Sequence, residues 1–110
     1  MEDLEDLRAR IARFVREREW ECFHSPKNLS MALSVEVAEL VEHFQWLTQK
    51  QSLNLAPDAR EEVGEEIADV LIYLLCLAEA LGIDPIAEAR KKVEKNRAKY
   101  PVESMKGKAP

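Results

Sequence analysis

The twelve residues Ile67–Ala78 (IADVLIYLLCLA) constrain this chain more than any other feature. Apart from Asp69 the segment is apolar nearly all round, and it is too short to cross a bilayer, which takes about 20 apolar residues. A surface helix carries a single apolar stripe, so a helix that is apolar on two faces must be covered on both. A chain of 110 residues buries only a modest core by itself. Part of the cover is therefore expected from another copy, which predicts a homo-oligomer with this helix near the interface.

With 3 glycines and 5 prolines, the chain lacks the frequent turns of sandwiches and barrels. Periodicity and punctuation predict an all-α chain of four helices. The first runs from about Glu2 to Trp20, with Leu4, Leu7, Ile11, Phe14 and Val15 on one side. After a loop around His24–Lys27, the second runs from about Asn28 to Gln49. Gln51–Pro57 is a connector. The third begins near Asp58, read as an N-cap, and ends at Gly82, a natural C-terminal cap. Asp84-Pro85 opens the fourth and Pro101 closes it. Short links suggest a four-helix bundle, one domain over 1–101, followed by a loose tail, 102–110.

The net charge is −5, but residues 90–108 hold eight Lys/Arg against two acids. That segment carries +6, so the remainder carries −11. A chain this acidic is a poor match for duplex nucleic acid, and neither nucleic acid nor membrane is an expected partner. The basic stretch is either a solvated helix with cations suiting its dipole, or one half of a grip on a polyanion whose other half is acidic. Cys22 and Cys76 form no framework or CxxC pair and read as free thiols of a reducing compartment, hence cytoplasmic. The opening MEDLEDLRAR is acidic and amphipathic, unlike a secretory or transit signal.

Two of the helices carry acids three residues apart, Glu36/Glu39 and Glu66/Asp69, each pair beside an apolar seam. Residues at that spacing are neighbours on a helix. If the seams face each other, four carboxylates converge and repel at reduced dielectric. A hard divalent cation that takes oxygen ligands relieves this, and magnesium, which also bridges to phosphate oxygens, fits best. Zinc is disfavoured because His24 and His43 lie far apart in the chain. A di-iron bundle is disfavoured because Leu40, not Glu, stands three residues before His43. The alternative is a solvated acidic face on a non-catalytic helical oligomerisation module.

The runs Glu36-Val-Ala-Glu39-Leu and Gly64-Glu-Glu66-Ile-Ala-Asp69-Val-Leu-Ile-Tyr73 resemble the all-α nucleoside triphosphate pyrophosphohydrolases of the MazG-like superfamily. Trp20-Glu-Cys-Phe-His24-Ser-Pro26-Lys-Asn28-Leu, Phe44-Gln-Trp46 and Lys92-x-x-x-Asn96-Arg-x-x-Tyr100-Pro101 extend the similarity, most closely to the dCTP pyrophosphatase group. The resemblance implies magnesium-dependent hydrolysis of a deoxynucleoside triphosphate, dCTP or a 5-modified form, to the monophosphate and pyrophosphate. It implies that Glu36, Glu39, Glu66 and Asp69 hold Mg2+, with Glu39 also orienting the attacking water. It places Trp20, His24 and Trp46 around the pyrimidine, and sites between subunits of a dimer or a dimer of dimers (a homotetramer). Tyr73, one turn beyond Asp69, is a candidate sugar contact, and Lys92 and Asn96, one turn apart, are candidate phosphate or sugar contacts. Without the resemblance, the two tryptophans read better as bundle-end core residues with exposed indole nitrogens. Ile11 stands where relatives carry a first-helix histidine, which leaves dUTP or a broader set of triphosphates as alternative substrates.

Overall fold

The computed structural model describes residues 2–110 and contains no strand among them. Six helices follow one another: α1 (Leu4–Glu17), α2 (Pro26–Glu42), one-turn α3 (Gln49–Ser52), α4 (Pro57–Leu81), α5 (Pro85–Lys99) and one-turn α6 (Val102–Met105). A 3-10 turn over Glu21–Phe23 separates α1 from α2.

Local capping chemistry sets most of the boundaries. Asp3 and Asp6 exchange side-chain and backbone bonds at the start of α1. The Ser25 hydroxyl accepts from the Asn28 N–H at 3.1 Å, so α2 starts at Pro26, earlier than the expected Asn28. It also stops at Glu42, well short of Gln49. The Phe44 and Gln45 N–H groups both donate to the Val41 carbonyl at 2.9 Å, which tightens the coil into turns. Thr48 then restarts a helix across the junction of the expected second helix and connector, through a reciprocal capping box with Gln51. Asp58 lies in the first turn of α4 and Ala56 takes the expected cap position. Gly82 ends α4 at φ 65, as expected, and Asp84 caps α5 by accepting from the Ile86 and Ala87 N–H groups. The tail expected to be loose carries α6.

α4 is the axis of the molecule. α2 packs along it and α1 lies against it, next to Leu75, Cys76 and Glu79. Leu29 of α2 and Val63, Leu75, Cys76 and Ala78 of α4 are buried. α5 leaves α4 at 100° and buries none of its own residues. The single chain therefore packs three long helices and does not close the four-helix bundle expected from the sequence. The sharp turn at Gly82-Ile83 swings α5 outward. Arg8 of α1 braces the elbow through Glu79 and Asp84, each at 3.7 Å.

Much apolar surface stays open. Val63 of α4 is buried, while Ile67, Leu74 and Leu81, seven residues apart on the same apolar arc, are 53%, 44% and 51% exposed. The accessible surface is 9002 Å², against about 6,200 Å² for a compact monomer of this mass. The radius of gyration is 17.2 Å, against about 13 Å for a compact chain of this length. No single helix is long and apolar enough to cross a membrane.

Candidate active site

Packing α2 on α4 brings Glu66 opposite the Glu36/Glu39 pair. One carboxylate oxygen from each of the three lies within 4.8 Å of the others. Among the described residues, no lysine or arginine pairs with them. The Oε2 atoms of Glu36 and Glu66 are buried without a hydrogen-bond partner, a costly arrangement for an ionised carboxylate. Burial, followed by the charge of Glu39 and then of Asp69 and Glu66, pushes the Glu36 carboxyl up to about 7. Glu66 is raised by the same burial and by the charges of Glu39 and Asp69. The donors are all carboxylate oxygen, with neither His nor Cys in the group. Such a set fits a hard divalent cation and not zinc.

Asp69 departs from the expectation of four converging acids. It is exposed rather than embedded in apolar surroundings, and it lies outside the 4.8 Å group. One helical turn past Glu66, it lines the neighbouring cleft while its charge still acts on Glu36 and Glu66.

That cleft, about 430 Å³, lies between α1 and α4, within the range of small-molecule sites, about 300–1,000 Å³. Trp20, His24, Tyr73 and Asp69 line it together with Ile11 and Phe14. Three of the expected base and sugar contacts thus share one cavity with an acid of the expected metal set. Trp46, Lys92 and Asn96 do not join them. Trp46 is 87% exposed on the turn after α2, because that helix ends early. Lys92 and Asn96 sit on the outswung α5 and line neither the cleft nor the acid group. A second hollow of about 430 Å³ shares Ile11, Val15, His24 and Cys76, but holds none of the four acids.

The cleft also contains residues that sequence reading missed. Arg10, Phe14 and Cys76, none of them among the expected site residues, also line it. The spacing of Leu7, Ile11 and Phe14 on α1 was the available signal. It marked a face turned to α4, without telling a packed face from a cleft wall.

The MazG-like family model matches residues 31–109. The chain belongs to the MazG-like family. This MazG-like chain is 44% identical over 108 residues to dCTP pyrophosphatase 1 of Rattus norvegicus, covering 96% of the chain and 64% of the rat protein. It is 44% identical over 100 residues to dCTP pyrophosphatase 1 of Homo sapiens, covering 89% of the chain and 59% of the human protein. It thus spans less than two thirds of these relatives' length. Among solved structures it resembles a pyrophosphatase from Archaeoglobus fulgidus, with a TM-score of 0.84 and 43% identity over 92% of this chain and 94% of the other. Glu36, Glu39, Glu66, Asp69, Tyr73 and Cys76 fall inside the matched segment, and the cleft residues of α1 and of the turn after it precede it.

Proposed function

We propose that this MazG-like chain is a magnesium-dependent pyrophosphohydrolase that converts dCTP, or a 5-modified dCTP, and water into the monophosphate and pyrophosphate. The observation that carries the reading is the pair of buried, unpartnered carboxylate oxygens on Glu36 and Glu66, with Asp69, one turn past Glu66, on the wall of an aromatic cleft. Similarity to the rat and human dCTP pyrophosphatases and to the archaeal pyrophosphatase supports it.

Glu36, Glu39 and Glu66 would hold Mg2+, with Asp69 adjoining. Bound magnesium supplies positive charge against a triphosphate that an acidic cleft would otherwise repel, and it acidifies bound water. Glu39 orients the water and takes its proton as the oxygen attacks the α-phosphorus. The bond from that phosphorus to the bridging oxygen breaks, and its electron pair leaves with pyrophosphate. Trp20 stacks on the base, His24 supplies a polar contact to its edge, and Tyr73 packs against the sugar, where a 2′-hydroxyl is excluded. Ile11 gives the cleft an apolar wall on the α1 side.

Self-association belongs to the same proposal. The accessible surface exceeds that of a compact monomer by about 2,800 Å², a size typical of obligate interfaces. The open Ile67/Leu74/Leu81 stripe marks where burial is missing. In a dimer or a dimer of dimers, Trp46, Lys92 and Asn96 serve the site of a neighbouring copy. Two free thiols, exposed Cys22 and buried Cys76, suit a cytoplasmic setting.

The deciding assay is pyrophosphate release from dCTP, 5-methyl-dCTP, dUTP, UTP and ATP, with Mg2+ and with chelator. Magnesium-dependent release from dCTP or its 5-methyl form above the others is expected, and Asp69→Ala should lose turnover while keeping its helix content. Faster release from dUTP or a broad set would move the substrate assignment to the alternatives. Release from none, with no magnesium effect on melting, would leave a helical module without catalysis.

A further inference from the structure

The turn that carries Trp20 is bounded by Phe14, which lines the cleft, and Arg18, which does not. α1 ends in a back-folded turn in which the Trp20 N–H donates to the Val15 carbonyl at 3.1 Å and the Glu19 N–H to the Arg16 carbonyl at 3.0 Å. These are the paired closing bonds of a Schellman motif. The turn requires a left-handed residue, and Glu19 adopts it at φ 53, a conformation that a non-glycine side chain keeps only when its surroundings hold it. The residues on either side of it make aromatic contacts. The Trp20 and Phe14 rings meet edge to face, with centroids 5.7 Å apart and planes at 74°. The Arg18 guanidinium lies 3.7 Å from the centroid of the Phe14 ring, and its Nη1 donates to the Phe14 carbonyl at 3.1 Å. Phe14 and Trp20 line the cleft, and Arg18 does not.

From this geometry we infer that Arg18 and Phe14 are positioning residues: the guanidinium pins the Phe14 ring, and the ring holds the indole of Trp20 across the cleft before any ligand arrives. Trp20 is 42% exposed and Phe14 48%, so neither ring is fixed by burial in a core. An unpropped indole samples several rotamers, and the ligand must then bear the cost of ordering it. For one side chain that weakens binding about two- to tenfold. The inference rests on the nucleotide reading only for what the indole stacks upon.

The test uses the full chain labelled with 5-fluorotryptophan, whose two resonances are assigned by the one lost in Trp20→Phe. In Arg18→Ala without nucleotide, the Trp20 resonance should move toward that of the free amino acid, while the Trp46 resonance stays. KM for dCTP should rise about two- to tenfold with kcat within about twofold. Arg18→Lys, which restores a cation over the ring, should return both readouts most of the way. Phe14→Leu provides a second probe if Arg18→Ala folds poorly. A Trp20 resonance that stays in place in both variants overturns the inference, as does a moved resonance with an unchanged KM. If the parent hydrolyses no nucleotide, the functional reading fails, and the resonance alone decides whether Arg18 positions Trp20.

Discussion

Binding of Mg2+ to the acid cluster should expel protons, in a number that depends steeply on pH. Glu36 titrates at about 7, chiefly through burial and the charge of Glu39. Without metal its carboxyl is therefore about 10% protonated at pH 8, about half at pH 7 and about 90% at pH 6. A carboxylate must be deprotonated to ligate a cation. Glu36 alone should then release about 0.1 proton per chain at pH 8, about 0.5 at pH 7 and about 0.9 at pH 6. The raised Glu66 adds in the same direction. Titration calorimetry with Mg2+ in buffers of different ionisation enthalpy reads this number as a slope, and Glu36→Gln should remove most of it. The linkage to folding has a definite sign. The folded value of about 7 lies above the ordinary 4.5, so the folded state binds more protons between these limits. Metal-free protein should gain stability as pH falls from about 8 to about 5, and Mg2+ should flatten that trend. Proton release that is zero at pH 6.5, or constant from pH 6 to 8, would refute the account of a crowded, unpartnered carboxylate cluster.

Other perturbations test the fold beneath the site. Leu29 is 2% exposed in a core with few fully buried members, so Leu29→Ala should destabilise by about 3–5 kcal/mol in urea unfolding; a loss under about 1 kcal/mol would mean that this core does not hold α2. Neither of two glycines has an atom in the way of an added Cβ, so their backbone conformations alone should give opposite signs. Gly64→Ala, inside α4, should stabilise by about 0.5–1 kcal/mol, whereas Gly82→Ala, at φ 65, should destabilise by about 1 kcal/mol. Glu19→Gly relieves a left-handed non-glycine residue and should raise stability by about 0.5–1 kcal/mol. Light scattering on the eluting protein should give a multiple of 12.6 kDa; a stable monomer would leave the open α4 stripe unexplained.

The boundaries that sequence reading placed well are those set by neighbours in the chain. Asp84-Pro85 and Gly82 mark helix ends because capping and left-handed backbone act over a few residues. The misplaced end of α2 is instructive, since Thr48 and Gln51 already carried the spacing of a capping box while the apolar arc through Phe44 and Leu47 argued for continuing the helix. The competition between those signals was settled by backbone hydrogen bonds to Val41, which periodicity does not report. Likewise, the apolar arc of α4 contained Val63, Ile67 and Leu74 alike. Only packing against α2 separates the buried Val63 from the open Ile67 and Leu74.

Sequence by itself determined that the chain is helical, that two helices carry acids at a spacing that shares a face, and that one helix has more apolar surface than a small chain can cover. All three follow from interactions between residues a turn or less apart. Tertiary structure decided which acids meet. The seating of α2 on α4 brings Glu66 to Glu36 and Glu39 and leaves Asp69 on the cleft wall. It also decided that α5, with Lys92 and Asn96, swings away at 100°. Those outcomes depend on how rigid helices dock and on the angle of one glycine elbow, and a docking angle is fixed by contacts between residues far apart in the chain.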